Sequence, residues 1–408
     1  MTDEEPPLMA ATPLLFTPID LRGVRLKNRI VLSPMLTYSG RNGHVSDWHL
    51  AHIGKFAVSG VGLVFVESTK VDAGGCTTTG DLGLWSDEFI EPFRRITDFV
   101  HGHGAAVAIQ LSHSGRKSDG GVPWERLPPG QQRQPRSNTQ RIDGAGEWEL
   151  IGPSAIAHGA GHPVPRAMTH DDIAQIVEAW GQAADRANRA GFDVVEVHAA
   201  HGYLIHEFLS PTANRRTDEY GGPLERRMRF GLEVAERVRR SWPDNKPLFF
   251  RVSSVDDDGW TIADSVAFAR ALKTKGVDVI DCSAGGMATA IVPEGGHLRY
   301  GYQVKYARQI RAEADIKTMA VGLIIHADHA EQILESGSAD LVALGRELMH
   351  NPNWPIDAAQ KLGLRPSAAQ IPTAYSYWLD KRATGFSGTP STWRSGIEPE
   401  QMEQITSA

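Results

Sequence analysis

The sequence has 408 residues, of which 41% are hydrophobic and 22% charged, and its formal net charge is −7 at pH 7. This composition is that of a soluble globular protein, and the length suits one large α/β barrel or two average domains. The negative charge argues against a nucleic-acid-binding surface, and no apolar run approaches the roughly 20 residues that a membrane-spanning helix needs.

The N-terminus and the cysteines indicate where such a protein works. The stretch MTDEEPPLMAATP is acidic and proline-rich, so it resembles neither a secretory signal nor a transit peptide, and we predict a flexible tail over residues 1–12. The two cysteines, Cys76 and Cys282, lie far apart in the sequence. They exclude a disulfide framework or a cysteine-ligated zinc or iron–sulfur site, and they are typical of a cytoplasmic protein.

Eight short apolar segments recur along the chain. Because they are rich in Val and Ile and apolar almost throughout, they predict strands that are buried on both faces. These segments cover residues 29–34, 62–68, 106–111, 192–199, 247–253, 277–284, 316–322 and 339–345.

Helical patterns follow most of these strands. The clearest one begins after Thr169, which is suited to an N-cap, carries acidic residues in its first turn and stops at Gly191. The same apolar spacing recurs in four later segments, at residues 223–243, 261–276, 302–314 and 326–337. Alternating strands and helices predict one α/β domain, a (β/α)8 TIM barrel over residues 13–382 with an N-terminal hairpin as a cap. A doubly wound dinucleotide-binding sheet is the alternative, but no G-x-G-x-x-G follows the first strand.

One long interruption separates the third strand from its helix. Residues 112–168 are rich in Pro, Gly, Gln and Arg, which predicts a loop excursion over the surface. In a barrel, such a loop crosses the C-terminal mouth and can act as a lid or a substrate wall. A tolerated insertion is an equal alternative for its middle portion, residues 118–145. Residues 383–408 are predicted to form a C-terminal tail.

Polar residues and glycines stand where the predicted strands end, which is where TIM barrels place their chemistry. They are Ser33, Ser68, Gln110, His198, His201, Arg251, Ser283, Gly322, Gly345 and Arg346. The loops after strands seven and eight commonly bind phosphate through backbone N–H groups, and Arg346 adds a positive charge there. We therefore predict a phosphate-bearing ligand, against the alternative that each glycine merely turns the chain.

Gln110 and Arg251 indicate which chemical groups the rest of that ligand carries. Gln110 offers one acceptor and two donors, which match a planar ring edge that alternates carbonyl and N–H groups. Arg251 keeps its proton, so if buried it needs an anionic or electron-rich partner. Each of them can instead belong to a structural polar network. Together they indicate a phosphate-carrying heterocycle that becomes negative at some stage, and reduced FMN fits that description.

The segment HAAHGYLIHEF, residues 198–208, places three histidines and a tyrosine directly after the fourth strand. A metal site, an acid–base apparatus and buried structural polar residues are three alternative explanations. His198-x-x-His201 is not an H-E-x-x-H motif, and no third ligand occurs at a recognised spacing. We therefore predict no metal at this segment.

The longer segment HAAHGYLIHEFLSPTANRRTDEYGG, together with LKNRIVLSPM, AIQLSHSGRK, GYQVKYARQIR and LGRELM, resembles the old yellow enzyme family, in particular its bacterial branch of small-subunit ene-reductases. The resemblance covers residues 13–355. It implies a barrel with tightly but non-covalently bound FMN. Such a barrel reduces the activated C=C bonds of enones, enals, maleimides and nitroalkenes with NADPH or NADH by a ping-pong hydride and proton mechanism. It also implies a cytoplasmic homo-oligomer, a dimer or tetramer, that acts on small molecules.

The resemblance also assigns roles to residues. Those expected to bind the flavin and its phosphate are Ser33, Pro34, Met35, Leu36, Ser68, Gln110, Arg251, Ser283, Gly322, Gly345 and Arg346. Those expected to bind the substrate are Tyr38, His198, His201 and Tyr203, and the last three are also the expected catalytic residues. Leu36 departs from the family pattern, because many relatives carry Cys or Thr there, and we expect the lost polar contact to lower the flavin potential.

The implied reaction explains the histidines and the tyrosine. Hydride addition to an α,β-unsaturated carbonyl builds negative charge on the oxygen, so two imidazole donors stabilise the transition state more than the substrate. The α-carbon then needs a proton. Tyrosine has a reference pKa of about 10, so it stays protonated at neutral pH and can supply that proton. Tyr203 is the expected acid, whereas His206 is expected only to orient the following helix.

Two other functions are compatible with the sequence. One is a dedicated metabolic oxidoreductase of the same family, acting on a specialised substrate such as an enoyl thioester. Large members of such groups add a cysteine-rich iron–sulfur segment, which these 408 residues do not contain. The other is a non-catalytic flavin-binding or phosphate-sugar-binding barrel. The presence of His198, His201 and Tyr203 argues against it, because a mere binder needs no acid beside an oxyanion site.

Overall fold

A computed structural model describes residues 12–118, 122, 124, 139–142, 146–287, 298–364 and 370–384. The two predicted tails lie outside this set apart from residues 12, 383 and 384. Most of the middle of the predicted loop excursion also lies outside it.

Eight parallel strands form a closed barrel, which confirms the predicted TIM-barrel fold. They are β1 (Ile30–Leu32), β2 (Leu63–Lys70), β3 (Ala106–Ser112), β4 (Val194–Ala199), β5 (Leu248–Ser253), β6 (Val279–Ser283), β7 (Lys317–Ala320) and β8 (Leu341–Leu344). Each strand pairs with the next in sequence, and β8 pairs with β1 to close the sheet. Consecutive parallel pairing brings all eight C-terminal strand ends to one rim.

Helices cover the outside of the barrel. They are α1 (Asp47–Ala57), α2 (Ile90–Gly102), α3 (His170–Arg189), α4 (Leu204–Leu209), α5 (Leu224–Ser241), α6 (Ile262–Thr274), α7 (Val304–Ala314), α8 (Ala327–Glu335), α9 (Arg346–His350), α10 (Trp354–Lys361) and α11 (Thr373–Thr384). Thr169 caps α3 as predicted, because its hydroxyl accepts from the backbone N–H of Asp172. Within the described ranges, no helix is both long and apolar enough to cross a membrane.

Four shorter strand pairings complete the sheet structure. The antiparallel hairpin of Ile19–Leu21 and Val24–Leu26 packs its buried side chains with the apolar residues at the start of the barrel strands, so it caps the N-terminal end as predicted. Leu82–Gly83 extends the sheet beside the end of β2. Within the excursion after β3, the backbone forms two further pairings: Thr139–Ile142 with Gly146–Glu149, and Ile151–Gly152 with Arg166–Ala167.

The barrel interior changes from apolar to polar along the strands. Side chains alternate along a strand, so every second residue points inward. Three successive layers from β4, β5 and β6 are first Val194, Phe249 and Val279, then Glu196, Arg251 and Asp281, and finally His198, Ser253 and Ser283. The apolar layer anchors the strands, and the polar layers place hydrogen-bonding groups at the rim.

Candidate active site

A cavity of about 680 Å³ opens at the C-terminal rim, a volume typical of small-molecule and cofactor sites. Tyr38 lines it together with nine of the eleven predicted cofactor residues, which are Ser33, Pro34, Met35, Leu36, Arg251, Ser283, Gly322, Gly345 and Arg346. Ser68 and Gln110, the other two, are buried but do not line it. The structure thus brings most of the predicted set to one cavity, although the residues span more than 300 positions of sequence.

Gly322 and Gly345 have no side chains, so a ligand can approach the backbone closely where they line the cavity. Gly322 has φ +117°, a conformation that side-chain-bearing residues rarely adopt. A Cβ at this position would lie 3.0 Å from Nε2 of Gln303, and one at Gly345 would lie 3.2 Å from Sδ of Met35. Arg346 follows directly and is exposed. A backbone conformation that favours glycine at residue 322, in the same cavity as Gly345 and Arg346, is suited to a phosphate group.

Arg251 forms the polar floor of the cavity with residues from neighbouring strands. Its Nη1 donates to Oγ of Ser33 at 3.0 Å and lies 3.1 Å from Oδ2 of Asp281. Its buried Nε has no hydrogen-bond partner among the described residues. A buried guanidinium N–H needs an acceptor, and the electron-rich edge of a flavin supplies one. The residues present therefore fit FMN.

Two buried acids lie below the floor, and reasoning from the sequence missed both. Glu196 accepts from Nε2 of Gln110 at 2.8 Å, and Asp281 pairs with Arg251. Burial, and next the charge of Asp281, raises the pKa of Glu196 well above its usual range, while burial raises the pKa of Asp281. Because Glu196 holds the amide nitrogen of Gln110, the carbonyl oxygen of Gln110 is the atom left for a ligand N–H. The second acid in each of the apolar runs FDVVEV and VDVIDC was the available signal.

The two predicted catalytic histidines meet at the rim. Their rings are nearly perpendicular, with centroids 5.1 Å apart, and Nδ1 of His201 lies 3.4 Å from Nε2 of His198. Nδ1 of His198 accepts from the backbone N–H of Ala200 at 3.1 Å, so Nε2 is the nitrogen that carries the proton. Nε2 of His201 lies 2.7 Å from Oγ of Ser283, and the backbone N–H of His201 donates to Oγ of Ser253. The ends of β5 and β6 therefore hold His201 in place, and the turn after β4 holds the His198 ring.

Both imidazoles are neutral at neutral pH. Burial is the main cause that lowers the pKa of His198 and of His201 well below its usual value. The positive charge of Arg251 lowers both pKa values further. A neutral imidazole keeps one N–H, so each ring is a hydrogen-bond donor that adds no net charge to the cavity. Such donors suit an oxygen on which negative charge develops.

Of the two predicted tyrosines, Tyr203 lies beside His198 and Tyr38 lines the cavity. The Tyr203 ring centroid lies 4.8 Å from that of His198. Tyr38 has φ +50°, and Trp124 from the excursion meets its ring edge-on at 5.6 Å. Burial, followed by the charges of Tyr203, Asp81 and Glu67, raises the pKa of Tyr38, so Tyr38 stays protonated.

A buried pair supports the loop that carries the histidines. Nδ1 of His206 accepts from the backbone N–H of Gly202 at 3.0 Å, and its Nε2 lies 3.0 Å from Oδ2 of Asp256. Both side chains of this pair are fully buried. The contacts agree with the structural role expected for His206, because they tie the turn after β4 to the loop after β5.

Glu207 makes protein stability depend on pH. Burial raises its pKa from the usual 4.5 to about 8. Because the folded-state pKa exceeds the unfolded one, the folded protein binds the extra proton, and stability falls as pH rises from about 4.5 to about 8. We therefore compare the unfolding free energy of Glu207→Gln with that of wild type. Between pH 5 and pH 9 this difference should change by about 4 kcal/mol in favour of the variant. Urea unfolding of both proteins at pH 5 and at pH 9 measures these unfolding free energies.

The exposed Glu335 on α8 provides the matched control. Glu335→Gln is expected to follow wild type at every pH. A Glu207→Gln variant whose unfolding free energy keeps a constant offset from wild type would show that Glu207 is already charged in the folded protein.

Comparison with known proteins identifies the family. The model of the NADH:flavin oxidoreductase / NADH oxidase family matches residues 14–365. An NADPH dehydrogenase of Geobacillus sp. (strain WCH70) is 45% identical over 360 residues, covering 87% of this chain and 96% of that protein. An NADPH dehydrogenase of Bacillus subtilis (strain 168) is 42% identical over 367 residues, covering 89% of this chain and 98% of that protein.

Two solved structures share the fold along nearly their whole length. Morphinone reductase superposes with a TM-score of 0.69 at 29% identity, covering 88% of this chain and 94% of that one. The old yellow enzyme homologue from Zymomonas mobilis superposes with a TM-score of 0.68 at 27% identity, covering 89% and 99%. The chain therefore belongs to the NADH:flavin oxidoreductase / NADH oxidase family, the old yellow enzyme family, and is an FMN-dependent oxidoreductase that uses NAD(P)H as reductant.

Proposed function

We propose that the protein is an ene-reductase that reduces the activated C=C bonds of enones, enals, maleimides and nitroalkenes. The observation that carries this proposal is the meeting of two neutral imidazole donors, His198 and His201, with the Tyr203 ring beside His198. The relatives named NADPH dehydrogenase support NADPH as the electron source.

FMN held in this cavity would supply the hydride chemistry that links NAD(P)H to the β-carbon of the alkene in a ping-pong sequence. His198 and His201 would hold the electron-withdrawing oxygen of the acceptor and stabilise the charge that gathers there. One such preorganised donor typically stabilises a transition state by about 2.7–4 kcal/mol. Tyr203 would then donate its phenolic proton to the α-carbon and regain a proton from solvent. Tyr38 would pack beside the acceptor.

The floor and walls of the cavity would hold the flavin. Gln110 and Ser68 would bond the pyrimidine edge, and Arg251 would sit by the atoms where negative charge gathers on reduction. Gly322, Gly345 and Arg346 would hold the phosphate. The remaining residues proposed to contact the flavin are Ser33, Pro34, Met35, Leu36 and Ser283.

The proposal is tested with the purified, yellow holoenzyme in the absence of air. We expect NADPH to bleach the visible flavin absorbance and 2-cyclohexenone to restore it. Cyclohexanone, which has the same ring and carbonyl but no C=C bond, is the control and should leave the enzyme reduced. Recovery of colour with cyclohexanone at the same rate, or no recovery with the enone, would contradict the proposed function.

A further inference from the structure

Lys70, the last residue of β2, is a fully buried lysine that the proposed mechanism does not use. Its Nζ donates to Oγ of Ser68 at 3.1 Å, of Ser112 at 3.1 Å and of Ser114 at 3.0 Å. All three N–H donors of the ammonium group are thereby satisfied. Oδ2 of the equally buried Asp81 lies 3.5 Å from Nζ and balances its charge. Burying a cation is costly, so a cage this complete indicates that the charge is held at this point.

The buried ammonium group of Lys70 lies next to Tyr203, the proposed acid. Nζ of Lys70 lies over the Tyr203 ring, 4.8 Å from its centroid. A chain of hydroxyl groups joins the two residues, with 2.7 Å between the oxygens of Ser114 and Thr77 and 3.4 Å between those of Thr77 and Tyr203. An ammonium group can only donate, so Ser114 accepts from Lys70 and its own hydrogen is free for Thr77. The hydrogen of Thr77 is then free for the phenolic oxygen, so every donor in the chain can point toward Tyr203.

We propose that Lys70 is a positioning residue for proton delivery, stabilising through its charge and through Ser114 and Thr77 the phenolate that Tyr203 becomes. In this step the O–H bond of Tyr203 breaks, a C–H bond forms at the α-carbon of the acceptor, and the phenolate takes its proton back from solvent. The hydride that completes the reduction comes from NAD(P)H. This inference rests on the proposed function, because Lys70 has this role only if Tyr203 is the acid.

Rapid mixing of pre-reduced holoenzyme with oxidants tests the inference. We expect Lys70→Met to lower the saturating rate of reoxidation by 2-cyclohexenone about tenfold, the effect of removing one well-placed cation. The half-saturating enone concentration should stay unchanged, because Lys70 does not touch the acceptor. Reoxidation by ferricyanide, which takes electrons but no proton on carbon, should also stay unchanged.

A double-mutant cycle separates a role through Tyr203 from a merely structural one. In a Tyr203→Phe background no phenolate forms, so Lys70→Met should cause no further loss. An equal loss in both backgrounds, an equal slowing with ferricyanide, or no slowing in Lys70→Met alone would each overturn the inference. If Tyr203→Phe by itself reacts as fast as wild type, the proposed acid is wrong, and the role of Lys70 falls with it.

A second variant covers the case in which Lys70→Met does not fold, since it leaves the buried Asp81 without its cation. Lys70→Met combined with Asp81→Asn removes both charges, and the backbone N–H of Thr77 and the hydroxyl of Thr78 still bond residue 81. The same selective loss with the enone, absent from the Tyr203→Phe background, supports the inference. Wild-type enone kinetics in this variant would overturn it.

Discussion

His198→Ala is expected to slow reoxidation of the reduced enzyme by 2-cyclohexenone by about 10²–10³-fold, the usual effect of losing one oxyanion donor. The reason is that Nε2 of His198 carries the N–H that we propose donates to the acceptor's oxygen, since Nδ1 accepts from the backbone N–H of Ala200. Reduction of the flavin by NADPH should fall by a smaller factor, because no oxyanion forms on an acceptor in that step. Stopped-flow absorbance measures the two half-reactions separately.

His103 provides the control for this variant, because it lies just before β3 at the opposite end of the barrel. His103→Ala should keep both half-reactions at wild-type rates. Binding of a simple phenol, whose oxygen resembles the developing oxyanion, should weaken in His198→Ala and not in His103→Ala. A His198→Ala enzyme that is slow only in reduction by NADPH would show that the imidazole serves the nicotinamide and not the acceptor.

Tyr203→Phe is expected to slow reoxidation by acceptors that need a proton on the α-carbon by about 10²–10⁴-fold, the usual contribution of a positioned general acid. The substitution removes the hydroxyl and keeps the ring, so the packing of that ring against His198 should persist. Reoxidation by ferricyanide should be unaffected. The measurement is the saturating rate with 2-cyclohexenone, compared with the ferricyanide rate on the same preparation.

Tyr220 provides a matched control, since its hydroxyl donates to Glu233 away from the cavity. Tyr220→Phe should leave both rates unchanged. Equal enone rates in wild type and Tyr203→Phe would mean that water or another side chain supplies the proton.

The fold was predictable because its signals are local. Each barrel strand is a short Val- and Ile-rich run, and α3 is bounded by the cap at Thr169 and by Gly191 with φ +90°. Parallel strands place their C-terminal ends at one rim whatever the register, so strand-end residues such as Arg251 and His198 could be predicted to meet.

The buried charged residues Lys70, Glu196 and Asp281 were not predictable in this way. Their positions depend on strand register and on partners that are distant in sequence. Lys70 was missed because the second strand was predicted to stop at residue 68, whereas β2 continues to residue 70 past an irregularity between Val66 and Thr69. Two of its three serine partners, Ser112 and Ser114, come from β3 and the turn after it, and the sequence around Lys70 does not predict them. Glu196 and Asp281 were missed because an acid within an apolar run does not reveal which neighbour it faces.

A crystal structure of the holoenzyme with a bound phenol tests the central claim most directly, because it shows what the paired imidazoles hold. We predict the phenol ring stacked over the flavin with its oxygen within hydrogen-bonding distance of both His198 and His201. A phenol bound elsewhere, or a metal ion between the two imidazoles, would contradict the account.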